Sequence, residues 1–295
     1  MITDVETRTV QTRDGRELCV EVAGGPSDRS VLVNCGTPNS RHLFEPWIHD
    51  AARRGVQLIS YDRPGYGGST AYPGHTVADA ALDVRAIAED LGIERLAIWG
   101  FSGGGPYTLA NAALLPDLVA AAAVVGSVAP WQAPGLDYFT GMGQDNVDAL
   151  QLYLSDRQAA RKKARQDWEE AVAVTAEQLV EAWQSLLSET DAAVLTGDFA
   201  QYIVRCVRDG LSAGEQGWWD DGVAHMAPWS FELDSIQIPV KVWHGRQDRF
   251  VPFQHGQWLA EHIPGAESFL SETDGHLTLL VERFDDVHEW LIGHF

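Results

Sequence analysis

A serine flanked by glycines is the residue in this chain best set up to do chemistry. The segment Leu96-Ala97-Ile98-Trp99-Gly100-Phe101-Ser102-Gly103-Gly104-Gly105-Pro106 carries the spacing G-x-S-x-G at Gly100, Ser102 and Gly104. An apolar, strand-like run precedes it, and residues 107–115 are helix-prone. Strand, tight turn, helix is the context that lifts a serine hydroxyl to the carboxyl end of a sheet as a nucleophile. The helix that follows would aim its free N–H groups and partial positive charge at the same spot. Read alone, the segment could also be a connecting turn or a phosphate cradle. Against the cradle, it has no Gly-Lys-Ser/Thr and its glycines do not match G-x-G-x-x-G.

The elements needed to hold such a turn are visible in the hydrophobic pattern. Residues 18–23, 31–34, 57–61, 96–99 and 119–125 are short strand-like runs. The middle three are rich in Val, Ile and Leu without polar alternation, as in strands buried on both faces. Thr76 and Asp79 open a helix, Val77, Ala81, Val84, Ala88 and Leu91 give it an apolar face, and Gly92 closes it. Alternating strand and helix predicts a mostly parallel sheet with helices on both sides. From Trp131 to about Leu233 the pattern turns helical, with helices expected over 145–173 and 175–188 and a loop over 217–222. Strand character returns at 240–244 and 267–270, and a closing helix is expected from about Leu277 to Phe295.

Composition narrows the class. The 295 residues include 45% hydrophobic and 21% charged side chains, which excludes disorder, collagen-like repeats and small disulfide scaffolds. The 42 acidic and 21 basic residues give a formal charge of −21. Such a surface repels nucleic acid and anionic membranes, so a small-molecule substrate is the expected partner and neither nucleic acid nor membrane is. Oligomeric state is not readable. Cys19, Cys35 and Cys206 are few and far apart, so reduced thiols are expected rather than a disulfide framework. Met1-Ile2-Thr3-Asp4-Val5-Glu6 has no apolar core and does not read as a secretory leader, so a cytoplasmic protein is expected. Residues 97–116 and 118–136 are uncharged, but their glycines and prolines fit strand-turn-helix units better than membrane spans. No H-E-x-x-H or C-x-x-C pair is present, and no metal or cofactor is expected.

The serine segment and its setting resemble the serine hydrolases of the α/β-hydrolase fold. That resemblance covers essentially the whole chain and implies a division into core (1–130), inserted helical cap (131–235) and core again (236–295). It also implies the order nucleophile, acid, histidine. Gly245-Arg246-Gln247-Asp248-Arg249-Phe250-Val251-Pro252 resembles the family's G-x-x-D-x-x-V-P segment, which makes Asp248 the acid. The other position for an acid, the loop 126–129, holds no carboxylate. His276 follows the last strand and a turn-forming Asp274-Gly275, which makes it the base among ten histidines. His288 and His294 read as surface residues and His244 as a packed one. Cys35-Gly36-Thr37-Pro38 resembles the family's His-Gly-x-Pro loop, with Cys35 in place of histidine. It implies backbone N–H donors at Thr37 and Gly103 for an oxyanion. Asp62-Arg63-Pro64-Gly65-Tyr66-Gly67-Gly68-Ser69 resembles the D-x-P-G-x-G-x-S loop and reads as structural, closing one side of the entrance. Tyr66 is open to two readings, pocket or surface.

In capped relatives the inserted helices shape the substrate pocket. Tyr66, Phe101, Trp131, Trp218, Trp219 and Met226 are the candidate pocket residues here. Glu215, Asp220 and Asp221 read as solvated charge, with binding of a substrate amine as the alternative. The resemblance implies cleavage of an ester, lactone or thioester of a small, largely apolar substrate through an acyl-enzyme. The alternatives are an iminopeptidase-like amide hydrolase, whose segment is usually G-G-S-W-G, and a non-catalytic binding protein on the same fold. Dehalogenase and epoxide hydrolase chemistry would need aspartate at position 102.

Overall fold

Four apolar runs form the centre of the sheet because they can be buried on both faces. In the computed structural model, which describes residues 4–295, β3 (Ser30–Asn34), β4 (Gln57–Tyr61), β5 (Leu96–Phe101) and β6 (Val119–Val125) have no exposed residue. Before them come β1 (Val5–Gln11) and β2 (Glu17–Ala23), and after them β7 (Val240–Gly245) and β8 (Glu267–Ser271). Among the described residues these eight strands make one sheet in the order β1-β2-β4-β3-β5-β6-β7-β8. β2 is antiparallel to both neighbours, and the remaining pairings are parallel.

The period of two along each strand divides the core into two layers. Val31, Val33, Ala97 and Trp99 point into one apolar cluster, while Leu32, Leu96 and Ile98 point into the other. Helices cover both faces: α1 (Glu45–Arg53), α2 (Ala80–Leu91) and α3 (Gly105–Leu114) lie between the earlier strands. α2 begins after a 3₁₀ turn, Val77–Asp79, where the Asp79 carboxylate accepts from the Thr76 N–H at 2.6 Å. It ends at Gly92, whose φ of 66° is left-handed.

Between β6 and β7 the chain inserts α4 (Gln144–Ser155), α5 (Arg157–Ala173), α6 (Leu179–Ala182), α7 (Glu189–Val194), α8 (Gly197–Gly210) and α9 (Gln216–Met226). α10 (Phe253–His262) joins β7 to β8, and α11 (His276–Glu282) and α12 (Phe284–Ile292) close the chain.

Several expected boundaries move. The helix expected over 145–173 breaks at Asp156, whose side chain caps α5 by accepting from Gln158 and Ala159. The helix expected over 175–188 shrinks to the four residues of α6. Residues 217–222 are helical within α9, because Gly217 packs against the backbone of Gly65 and its lack of a side chain serves a close approach rather than a turn. The closing helix breaks at Arg283.

No helix among the described residues is long and apolar enough to cross a membrane. The three cysteines are free thiols. The leader reading rests partly on residues 1–3, which lie outside the described residues.

Candidate active site

β5 ends at Phe101, and Ser102 follows at a φ of +53°. A non-glycine residue in this left-handed region carries about 1–2 kcal/mol of strain. The surrounding turn holds it there: Ser102–Gly104 form a 3₁₀ turn that runs directly into α3. A side chain at Gly104 would run into the Asn34 and Cys35 carbonyls at the end of β3, so the turn can sit this low only with glycine.

Asp248 and His276 arrive from two other strand ends. Asp248 lies three residues past β7, buried, with Oδ1 accepting from the Val251 N–H at 2.8 Å. His276 is the first residue of α11, and its Nδ1 donates to Asp248 Oδ2 at 2.6 Å. The Phe250 ring stacks on the imidazole, with centroids 4.8 Å apart and planes 20° apart. Behind the pair, His244 Nε2 sits 3.4 Å from the same carboxylate and 2.8 Å from the Val251 carbonyl. Gly126 makes room for the pair. It has a φ of +56°, and a Cβ there would lie 2.9 Å from His276 Nδ1 and 3.3 Å from Asp248 Oδ2.

Ser102, His276, Thr37 and Gly103 line one cavity of about 390 Å³. Thr37 and Gly103 are neighbours, since a Cβ on Gly103 would fall 2.9 Å from the Thr37 Cβ. The loop that carries Thr37 is clamped by a buried cation. Arg63 donates to the Cys35 carbonyl, to the Gly36 carbonyl at 3.3 Å and to Thr37 Oγ1 at 3.0 Å. Its counter-charge is Asp221 of α9, at 2.5 Å, and the two residues are 2% and 0% exposed. Thr37 Oγ1, Tyr66 Oη and Tyr107 Oη also donate to this carboxylate, at 2.8, 2.9 and 2.6 Å. Burial opposes ionisation of Asp221, yet the charge of Arg63, a hydrogen bond from His75 and the hydrogen bond from Arg63 hold its carboxyl well below the usual range.

The chain matches the family model described as alpha/beta hydrolase fold over residues 29–283. The chain belongs to the alpha/beta hydrolase family. It is 25% identical over 281 residues to the AB hydrolase superfamily protein YisY of Bacillus subtilis, covering 93% of this chain and 94% of that one. It is 26% identical over 249 residues to the bifunctional esterase/perhydrolase DCH of Acinetobacter calcoaceticus, covering 83% of each. The solved esterase of Exiguobacterium antarcticum has the same fold, with a TM-score of 0.71 at 22% identity over 97% of this chain and 100% of that one.

Within this alpha/beta hydrolase, Phe101, Trp218, Trp219 and Met226 line the cavity. Tyr66 and Trp131 do not. Tyr66 is fully buried under the Arg63–Asp221 pair, so it is neither a pocket nor a surface residue. Trp131 packs edge-on against Tyr138, at 5.0 Å, and it is Tyr138 that reaches the cavity. Asp220 and Asp221 are buried rather than solvated, and Asp221 is already saturated with donors. His288 is also buried, with Nδ1 2.9 Å from Asp50 Oδ2, because α12 packs on α1. Cys35 is an inert packed thiol, pushed up to about 12 by burial.

Among the lining residues not expected from the sequence, two stand next to the candidate chemistry. His225 of α9 reaches the cavity beside Gly103, and burial pushes its imidazole down to about 4, so it is neutral near pH 7. Phe250, in the acid's loop, also lines the cavity and stacks on His276, and an aromatic side chain two residues past Asp248 is the sequence signal for it.

The electrostatics of the Asp248–His276 pair set an expected pH dependence. Burial opposes the charge on Asp248, but His276 and His244 together bring its carboxyl down to about 2. Burial likewise opposes the imidazolium, while the Asp248 charge and hydrogen bond, helped by Asp191, raise His276 above its ordinary 6.5. A base must be neutral to accept a proton. Activity should therefore fall as pH drops through a midpoint above 6.5, with a slope of one proton in kcat/KM. A profile flat from pH 5 to 8 would remove His276 from the role of base.

Proposed function

We propose that this alpha/beta hydrolase is a cofactor-free serine hydrolase that cleaves a carboxylic ester of a small, uncharged, largely apolar molecule. The observation that carries the proposal is the 2.6 Å Asp248–His276 pair at the wall of the cavity that Ser102 lines. With Nδ1 engaged, the imidazole keeps Nε2 free as a proton acceptor.

In this reading Ser102 Oγ attacks the ester carbonyl carbon and its proton passes to His276 Nε2. The N–H groups of Thr37 and Gly103 hold the oxyanion, each donor being worth about 2.7–4 kcal/mol in the barrier. Asp248 stabilises the imidazolium without taking the proton. The tetrahedral adduct collapses, the alcohol leaves with the proton from His276, and the acyl group stays on Ser102. Water then gives a proton to His276, attacks the acyl carbon and releases the acid, and the proton returns to Ser102.

The lining supports the substrate class. Residues 131–235, read as the cap, contribute Leu150, Ala164, Trp218, Trp219 and Met226 among other apolar groups. The charged cap residues on the lining, Lys163 and Asp167, neutralise one another at 2.6 Å. An N-terminal amine would find no free carboxylate among the described lining residues, which argues against the iminopeptidase-like alternative. The esterase activity named for the Acinetobacter relative points the same way.

A substrate panel tests this. It should hold p-nitrophenyl esters of increasing acyl length, an aliphatic lactone, an acyl thioester and a prolyl anilide. Burying one methylene is worth about 0.8 kcal/mol, so kcat/KM should rise about fourfold per added carbon until the cavity is full. The prolyl anilide should be inert. Preference for the anilide over every ester would overturn the assignment of substrate class.

A further inference from the structure

The first turn of α11 carries the candidate base, and it lacks a capping group of its own. Its N-cap is Gly275, which has no side chain. The exposed N–H groups of a first helical turn need acceptors when they are buried. The Gly275 N–H finds the Thr278 hydroxyl at 2.6 Å. The other three are taken by one carboxylate from the inserted helices. Asp191 of α7 accepts from the His276 N–H through Oδ2 at 3.0 Å, and from Leu277 and Thr278 through Oδ1 at 2.7 and 3.1 Å. Ser188 Oγ steadies it with a further bond to Oδ2 at 2.9 Å. Asp191 is fully buried, and a side chain on Gly275 would collide with its carboxylate.

We propose that Asp191 is a positioning residue for His276, a carboxylate supplied from the β6–β7 insertion that sets the backbone of the base and thereby couples catalysis to seating of α7 on α11. This rests on the serine hydrolase reading. The covalent link between the two residues runs through 85 positions, so only docking of the insertion brings them together. Without the carboxylate the first turn of α11 would fray, and the imidazole would leave its 2.6 Å register with Asp248. An error of about 1 Å in a reacting group costs on the order of 100-fold in rate.

The charge of Asp191 also bears on the imidazolium. The charged or titratable groups around His276 are Asp248 and, behind it, His244 from the β7 side, and Asp191 from α7. Asp274, two residues before the base, is paired with Arg283 at 3.0 Å.

The test compares wild type with Asp191→Ala and Asp191→Asn, using the panel's best ester. In Asp191→Ala, kcat should fall on the order of 100-fold with KM within about threefold. Asn is itself a good capping residue, so Asp191→Asn should recover part of kcat. Its acid limb should lie at lower pH than in wild type, because the charge is gone. Amide hydrogen exchange should speed up at residues 276–278 in the alanine variant while β5 stays protected. A variant with lowered Tm but unchanged kcat, unchanged acid limb and unchanged exchange at 276–278 would reduce Asp191 to a fold contact. Should the alanine variant fail to fold, the asparagine variant's acid limb and exchange decide. If wild type shows no Ser102-dependent turnover, the hydrolase reading fails separately. The proposal is then decided without substrate, by exchange at 276–278 and by NMR titration of the His276 ring. An identical midpoint in wild type and Asp191→Asn, with identical exchange, overturns it.

Discussion

Ser102→Ala is expected to lower kcat by about 10⁴-fold or more while leaving the fold in place. The expectation rests on what the hydroxyl does and on what it does not do. As the proposed nucleophile it forms the bond to the acyl carbon, and no neighbouring side chain can replace it. Cys35, on the neighbouring loop, is a buried thiol pushed up to about 12, so it holds almost no thiolate near neutrality. What survives in the variant is the oxyanion loop and the cavity, which together retain about 10³–10⁴ over water in enzymes of this mechanism. The fold should not suffer, because alanine at a φ of +53° carries strain similar to that of serine, and Ser102 is not fully buried. A shift in Tm of no more than a few degrees is expected. A fluorophosphonate should label wild type and leave the variant untouched. An alanine variant within tenfold of wild type would remove Ser102 from the chemistry, and an unlabelled wild type with no turnover of any ester would favour the binding-protein reading.

The parts of the site that were legible in the sequence are those encoded locally. The elbow at Ser102 is written in three consecutive glycines between an apolar run and a helix, all within about twenty residues. Asp248 and His276 each follow a short strand-like run, 240–244 and 267–270, within a few residues. The insertion's contributions were not legible, because they are pairings across long separations with no periodicity to betray them. Asp221 meets Arg63 across 158 positions, and in the sequence it looks like one more acid on a protein with 42 of them. Asp191 looks the same. Gly217 and Gly222 suggested a loop because the close approach to Gly65 that explains Gly217 is a tertiary fact. β1 was missed for the opposite reason. It is an edge strand whose residues are exposed except for Val10, so its alternation carries almost no hydrophobic signal.

Removing Asp221 should produce the largest loss of stability of any change discussed for this molecule. Asp221→Ala leaves the Arg63 guanidinium buried and unpaired, with the Tyr66, Tyr107 and Thr37 hydroxyls short of an acceptor. Breaking a buried pair from one side costs about 3–5 kcal/mol, which for a chain of this size is a fall in Tm on the order of 10 °C. Stability alone would not reveal what the pair is for, because a well-packed apolar pair often replaces a buried ion pair without loss. The informative variant is therefore the double change Arg63→Met with Asp221→Leu. It removes both charges at similar volume and should recover more than half of the lost stability, the remainder reflecting the hydroxyls at about 1 kcal/mol each. Activity should not follow. Arg63 is what ties the Cys35 and Gly36 carbonyls and the Thr37 hydroxyl together, and without it the Thr37 N–H is no longer held at the proposed oxyanion position. Loss of one such donor costs about 10²–10³ in kcat, so the double variant should fold well and turn over slowly, with KM little changed. If it regains both Tm and kcat, the pair is only a fastener between α9 and the sheet. If it regains Tm alone, the insertion holds the oxyanion loop through Asp221, and the catalytic centre is complete only when both layers of the molecule are docked.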